Sequence, residues 1–419
     1  MTKKQFYLFI SIFFIMSLVL GACQTASVPA EEPVVEEVAS LPTETPTAIP
    51  TSTTLPPPTK TPFPTPHPSE RCKLPNTSSR TDVFLGFPVS NNRMPSTGTV
   101  QGIVLFAEFP DVKTTHTPEE VFAMISPEAE EFFKVISYGR MDLQLEPHLA
   151  WLMLSKPSAT YGKGLDSHSS HKNHLQEAIN LADDEVDFSE ADVVIVMNNP
   201  RASALSKGPA WTGNYPRNGQ ESSGSTLLAD GIEITNGTTS GYDLNLWGFL
   251  WLNHELGHSM GLADLYSYER HEMFTGPFTM MADIHAKAPE FSAYERWLLG
   301  WLDNDQVICQ YDDEEQVVTL TPVETAGGIK TLIVRDKKSR TRAVVIESRR
   351  ALGYDSGLTT PGAVVYSIDT SIDSGYGPLI AENNKRPLTE GKSVTVGNVT
   401  ITVLEATEEG DTVQITLAE

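Results

Sequence analysis

Hydrophobic positions divide the 419-residue chain into four textures. An apolar run fills 6–20, and 24–78 shows no hydrophobic period. From 79 onward helix-like and strand-like spacings mix, and after Cys309 short strand-like runs take over. The run at 100–107 predicts a buried strand, and 192–197 a second. Helices are predicted over 118–136, with Pro118 and Pro127 at first-turn positions. Another is predicted over 173–182, with Leu175, Ala178, Ile179 and Ala182 inward. A helix over 246–260 puts Trp247, Leu250, His254 and His258 on one stripe. A last one over 288–302 carries Phe291, Tyr294, Trp297, Leu298 and Trp301 on its apolar side. Strand-like runs at 316–321, 329–335, 342–348, 362–368, 393–404 and 412–417 alternate with Gly-Gly, Gly-Asn and Gly-Asp turn signals. The expected class is α+β: a mixed sheet with helices over 79–308, then a small antiparallel β lobe over 309–419.

The front of the chain bears on location. Lys3 and Lys4 precede the apolar run, which ends in Leu-Gly-Ala-Cys at 20–23. That is the layout of a signal peptide over 1–22, and the last four residues resemble a bacterial lipobox with Cys23 as the lipidated residue. The run is short for a spanning helix. Residues 23–78, rich in Pro and Thr, cannot bury enough apolar surface to fold and read as a disordered linker. The expected location is extracytoplasmic, lipid-anchored to the cell membrane or secreted.

Net charge is −24, which argues against nucleic acid as a partner. Carboxylates in such number could bind Ca²⁺, but no Asp-x-Asp-x-Asp-Gly loop occurs. With Cys23 lipidated, two of the three cysteines remain, Cys72 and Cys309. In an oxidising compartment they could form a disulfide; two free buried thiols are the alternative.

The chemistry concentrates at 254–264, His-Glu-Leu-Gly-His-Ser-Met-Gly-Leu-Ala-Asp. Histidines four apart share a helix face and can grip one tetrahedral Zn²⁺. Gly261 can turn the chain back after the helix, letting Asp264 approach as third ligand. Glu255 is positioned to act as general base on a zinc-bound water. Downstream, Gly276 to Ala282 reads as a turn with buried-type methionines, a candidate apolar floor under the metal. Tyr266 and Tyr268, just past Asp264, are candidate oxyanion stabilisers or ordinary packing residues. His168, His171 and His174 form a second cluster without a carboxylate or cysteine and read as a solvated helix start.

This extended motif, the Met-containing turn, and Tyr-Glu-Arg-Trp-Leu-Leu-Gly-Trp at 294–301 resemble the secreted bacterial M6 metallopeptidases, the immune inhibitor A group. Further similar segments are Gly-Thr-Val-Gln-Gly at 98–102, Phe-Pro-Asp at 109–111, Ser-Tyr-Gly-Arg at 137–140 and Val-Asp-Phe at 186–188. So are Val-Ile-Glu-Ser-Arg-Arg at 345–350 and Gly-Tyr-Asp at 353–355. The resemblance implies a metzincin-like catalytic domain, zinc on His254, His258 and Asp264, the base at Glu255 and the Met turn at Met281. It implies an endopeptidase acting on protein or peptide substrates. Two departures stand out: the long folded pro-segment of that family has no counterpart before 79, and Thr279 occupies a place where an acidic residue is expected. A displayed binding module with an inert zinc site and a cell-wall amide hydrolase are the competing expectations.

Overall fold

The computed structural model describes residues 66–77, 83–213, 225–270, 272–312 and 314–418. The signal-like run, Cys23 and the linker up to 65 lie outside the described residues. The described chain is mixed α+β with several sheets and short helices. Among the described residues no helix is long and apolar enough to cross a membrane.

The first half builds a five-stranded sheet. In chain order its region contains β1 (Gly98–Glu108), α1 (Pro118–Phe122), α2 (Glu128–Ile136), β2 (Met141–Met153), α3 (Ser158–Gly162), α4 (His168–Ala182), β3 (Val193–Asn198) and β4 (Ala210–Thr212). Then come a hairpin of β5 (Leu227–Ala229) and β6 (Ile232–Ile234), followed by β7 (Asn236–Thr239). The sheet order is β2-β1-β3-β7-β4, parallel except for the edge strand β4. Alternation sends Val100, Val104 and Phe106 of β1 to one face and Ile103, Leu105 and Ala107 to the other. On the second face packs α4, with Leu175, Ala178, Ile179 and Ala182 buried as the periodicity predicts. On the first face pack α2 and the motif helix.

Several predicted boundaries move. Pro118 does sit in the first turn of α1, whereas Pro127 is the residue before α2. The helix predicted over 246–260 is two helices, α5 (Leu244–Trp247) and α6 (Phe249–Ser259), broken at Gly248 with φ 53° and ψ −131°. Trp247 therefore belongs to a different helix from the histidines, and it is Trp251 that continues their buried side. The helix predicted over 288–302 shrinks to α7 (Ala293–Leu298), although its five apolar residues are all buried. A capping box starts it: Glu295 N–H donates to Ser292 Oγ at 3.2 Å and Ser292 N–H donates to Glu295 Oε2 at 2.7 Å. Gly300, at φ 78°, ends it.

Of the C-terminal strands, β9 (Gln316–Leu320), β10 (Thr331–Arg335), β11 (Arg342–Arg349), β12 (Gly362–Asp369) and β16 (Gly410–Leu417) follow predicted runs; the run at 393–404 is a hairpin of β14 (Ser393–Val396) and β15 (Val399–Thr407), and β8 (Val307–Gln310) and β13 (Leu379–Ala381) had no predicted run. They are not one antiparallel sheet. A five-stranded sheet, β13-β12-β11-β10-β8, has a parallel β8–β10 pair, and a four-stranded sheet, β14-β15-β16-β9, packs against it. Nor does the region have a core of its own alone. Ile333, Val345, Val364 and Tyr366 join the core that holds Trp251, Leu256 and Met281, while Leu332, Val344, Ile346 and Val365 face the four-stranded sheet. Residues 64–419 form one compact unit.

The expected linker also ends early. Pro68–Cys72 forms a 3-10 turn, Cys72 and Leu74 are fully buried, and Pro75 bridges Phe87. Cys72 and Cys309 are joined in a disulfide, Cα atoms 5.7 Å apart, fixing this entry segment to β8. Closing so long a loop restricts the unfolded chain by about 5 kcal/mol in the chain-entropy account.

Candidate metal centre

Gly248 lets α6 start abruptly, since its backbone conformation suits a residue without Cβ. Burial of Trp251, Leu252 and Leu256 then fixes the rotation of the helix. His254 and His258 follow on adjacent turns, ring centroids 4.8 Å apart. His254 Nδ1 lies 3.0 Å from the Met280 carbonyl oxygen, and His258 Nδ1 2.8 Å from that of Leu262. A carbonyl only accepts, so each Nδ1 carries the proton and each Nε2 keeps its lone pair for a metal.

Gly261, at φ 103°, terminates the helix as expected; its N–H donates to the His258 carbonyl and the Leu262 N–H to that of Gly257. Asp264 is thereby brought back to the histidines. Its Oδ1 stands 3.4 Å from His254 Nε2 and 3.2 Å from His258 Nε2. Donors about 2.0 Å from a tetrahedral Zn²⁺ would be about 3.3 Å apart, so the spacing is that of a ligand set. Oδ1 is buried and receives no hydrogen bond. These three residues are grouped so that they could hold a metal ion. Electrostatics agree. Burial opposes charge on His258, yet the Asp264 carboxylate raises it to about 10. Burial would raise Asp264, but the two imidazoles hold it well below the usual carboxylate range. The space favours a positive charge, which a divalent cation supplies without protonating either ring.

Glu255 sits beside this group and outside it. Its Oε2 accepts the Ala210 N–H at 2.6 Å. Burial pushes its carboxyl above the ordinary glutamate value, opposed by His254 and His258. The strand carrying Ala210 is itself braced: Trp251 Nε1 donates to the Gly208 carbonyl at 2.7 Å, and the Gly208 N–H donates to Asp243 Oδ2 at 2.8 Å.

The methionines of the 276–282 turn pack against α6. The Met281 sulfur lies against α6 so closely that a Cβ on Gly257 would meet it at 2.7 Å. Met280 supplies the carbonyl for His254, and the Met281 carbonyl accepts the Leu265 N–H at 2.8 Å. Thr279 takes a positive φ of 60°, an uncommon conformation for a β-branched residue. Its Oγ1 donates to Glu295 Oε1 at 3.2 Å, so the carboxylate anticipated at 279 comes from α7 instead.

The two tyrosines divide. Tyr268 donates to Asp264 Oδ2 at 2.6 Å, which commits its hydroxyl proton to the carboxylate and not to an oxyanion. Tyr266 pairs with Met273 and packs edge-on to Tyr268; burial, with Asp264 nearby, holds its phenol proton tightly. The second histidine cluster is solvated only at His168, the exposed first residue of α4. His171 and His174 are buried on Thr239 Oγ1 and Asn198 Oδ1, at 2.9 and 3.2 Å. Sequence reasoning missed Gly257, Ala210, Glu295 and Ser374. Only Glu295 had a local signal, the Ser-x-x-Glu capping box.

A groove of about 1060 Å³ opens between the two C-terminal sheets, lined by Val344, Ile368, Val396 and Leu417 among others, but by none of the metal-site residues. No family model matches the chain, and no curated protein matches it in sequence.

Proposed function

We propose that the chain is a zinc-dependent endopeptidase, tethered outside the cell membrane through Cys23, of the kind its motifs resemble in the M6 metallopeptidases. One observation carries the reading. A buried Asp264 oxygen with no hydrogen bond faces two imidazole nitrogens freed for coordination, with the Glu255 carboxylate held alongside but outside the set. A structural zinc site is normally closed by a fourth protein ligand and needs no base.

Zinc held by His254, His258 and Asp264 would supply Lewis acidity, lowering the pKa of an attacking water and polarising the scissile carbonyl. Glu255 accepts that water's proton and returns it to the leaving amine, so one water is consumed and an acid and an amine are released. The Ala210 N–H keeps the carboxylate aimed through both transfers.

Glu255→Gln should keep zinc content and melting temperature near parental values while cutting cleavage of an unfolded protein by about a thousandfold or more. His258→Ala should lose the metal. Cleavage by Glu255→Gln within about tenfold of parent, roughly 1.4 kcal/mol of barrier, would remove Glu255 as the base. Activity on peptidoglycan but not on protein would redirect the reading to a cell-wall amide.

A further inference from the structure

We infer that Ser374, in the loop between β12 and β13, is a positioning residue for the third metal ligand. This rests on the metal reading above and goes beyond it, because the residue lies 110 positions from Asp264 in the other half of the molecule.

His258 is oriented by the Leu262 carbonyl four residues on, and His254 by the Met280 carbonyl of the turn beneath α6. A carboxylate has no proton to offer a carbonyl, so Asp264 needs donors. It sits past the end of α6, on backbone that neither helix nor sheet holds. Its main chain is gripped instead by the distant loop. The Asp264 N–H donates to Ser374 Oγ at 2.9 Å, and the Gly375 N–H donates to the Asp264 carbonyl at 3.0 Å. Tyr268 N–H then donates to the Gly375 carbonyl at 3.2 Å. A Cβ on Gly375 would meet the Tyr268 ring at 2.3 Å, so the loop lies flat against the aromatic face.

The protons in this cluster have one consistent arrangement. Ser374 Oγ must accept from Asp264 N–H. The Tyr268 proton must go to Asp264 Oδ2, since a carboxylate oxygen cannot donate. The Ser374 proton is then directed at the Tyr268 oxygen, 3.0 Å away. Three hydrogen bonds close a ring: Asp264 to Ser374, Ser374 to Tyr268, Tyr268 back to Asp264. The ring ties down Oδ2 and leaves Oδ1 alone beside the two Nε2 atoms. It thereby selects one carboxylate oxygen for the metal and fixes the direction from which it binds. Ser374 is only 2 % exposed.

Partners of this kind change metal affinity by 10–100-fold in general. The experiment titrates the full folded protein with zinc against a chromophoric chelator, for parent, Ser374→Ala, Tyr268→Phe and His258→Ala. Melting of each is followed with metal stripped. Ser374→Ala and Tyr268→Phe should each weaken zinc binding at least about tenfold, with metal-free melting shifted by only a few degrees. Tyr268→Phe leaves the loop backbone untouched, so it decides the matter if Ser374→Ala folds poorly. Parental zinc affinity in Tyr268→Phe, or in a well-folded Ser374→Ala, overturns the inference while a loss in His258→Ala leaves the metal reading standing. Zinc binding that is absent from the parent, or undiminished in His258→Ala, overturns both.

Discussion

At Gly257 two rules of helix chemistry point in opposite directions. Replacing a mid-helix glycine by alanine ordinarily stabilises by about 1 kcal/mol. Here the new methyl would meet Met281 Sδ at 2.7 Å and come within 3.5 Å of Phe291, inside a fully buried floor. Overpacking of that kind costs about 1–3 kcal/mol. Gly257→Ala should therefore be destabilising on balance, by about 1 kcal/mol in urea unfolding. In a Met281→Ala background the same change should become neutral or stabilising, because the obstacle is gone. A stabilising Gly257→Ala in the otherwise native chain would show that the methionine floor yields freely. The ligands themselves were legible at this scale because helical spacing puts His254 and His258 on one face whatever surrounds them. Ala210 and Ser374 were not: each acts through contacts across 45 and 110 residues, one of them through a backbone amide any residue would provide.

Among the elements, α4 shows how local reading can identify a face and misjudge its edge. Its apolar stripe was plain, but the polar histidines at its start looked solvated. The helix begins at His168, and its first turns slide under the sheet, where Thr239 and Asn198 satisfy His171 and His174. Burial is the main force holding their pKa values down, to about 3 for His171 and about 4 for His174; the Asn198 hydrogen bond and Glu177 oppose it at His174. Both values are depressed relative to an unfolded histidine near 6.5. The unfolded chain therefore binds protons first, and this share of stability is complete above pH ~6.5 and lost as pH falls toward 4 and then 3. For His174 the span is on the order of 3 kcal/mol. His174→Gln, which can still donate to Asn198, should flatten the stability–pH curve between pH ~6.5 and ~4 measured by denaturant titration. An unchanged slope would mean that other groups carry the acid sensitivity. Apolar runs marked β1, β3 and most C-terminal strands, but β2, β4 to β8 and β13 went unread. β2 is largely half-exposed and mixed in polarity, so no apolar run announces it, while α6 and α7 owe their limits to Gly248, Ser292 and Gly300.

For the whole molecule, the sequence pointed to a change of texture near 309, and the strands there bear it out. What it could not disclose is that the five-stranded sheet has two apolar faces, one of which belongs to the core beneath the metal site. Near-continuous apolar runs such as 343–346 carry that message only when the partner of each face is known. The front of the chain has a test at this scale too. Cys23→Ser should shift the protein from the membrane fraction to the medium or block its processing, and unchanged attachment on fractionation would remove the proposed tether. The clamp around Asp264 has a further meaning when the chain is viewed in time. A polypeptide is made from one end, so the histidines, the base and Asp264 all exist well before Ser374 does. On the inference drawn above, the carboxylate is fully aimed only once the chain through Ser374 has been made and folded onto it. Under the proposed function, the order of synthesis would itself withhold a finished cutting site from the half-made chain and from whatever surrounds it during export.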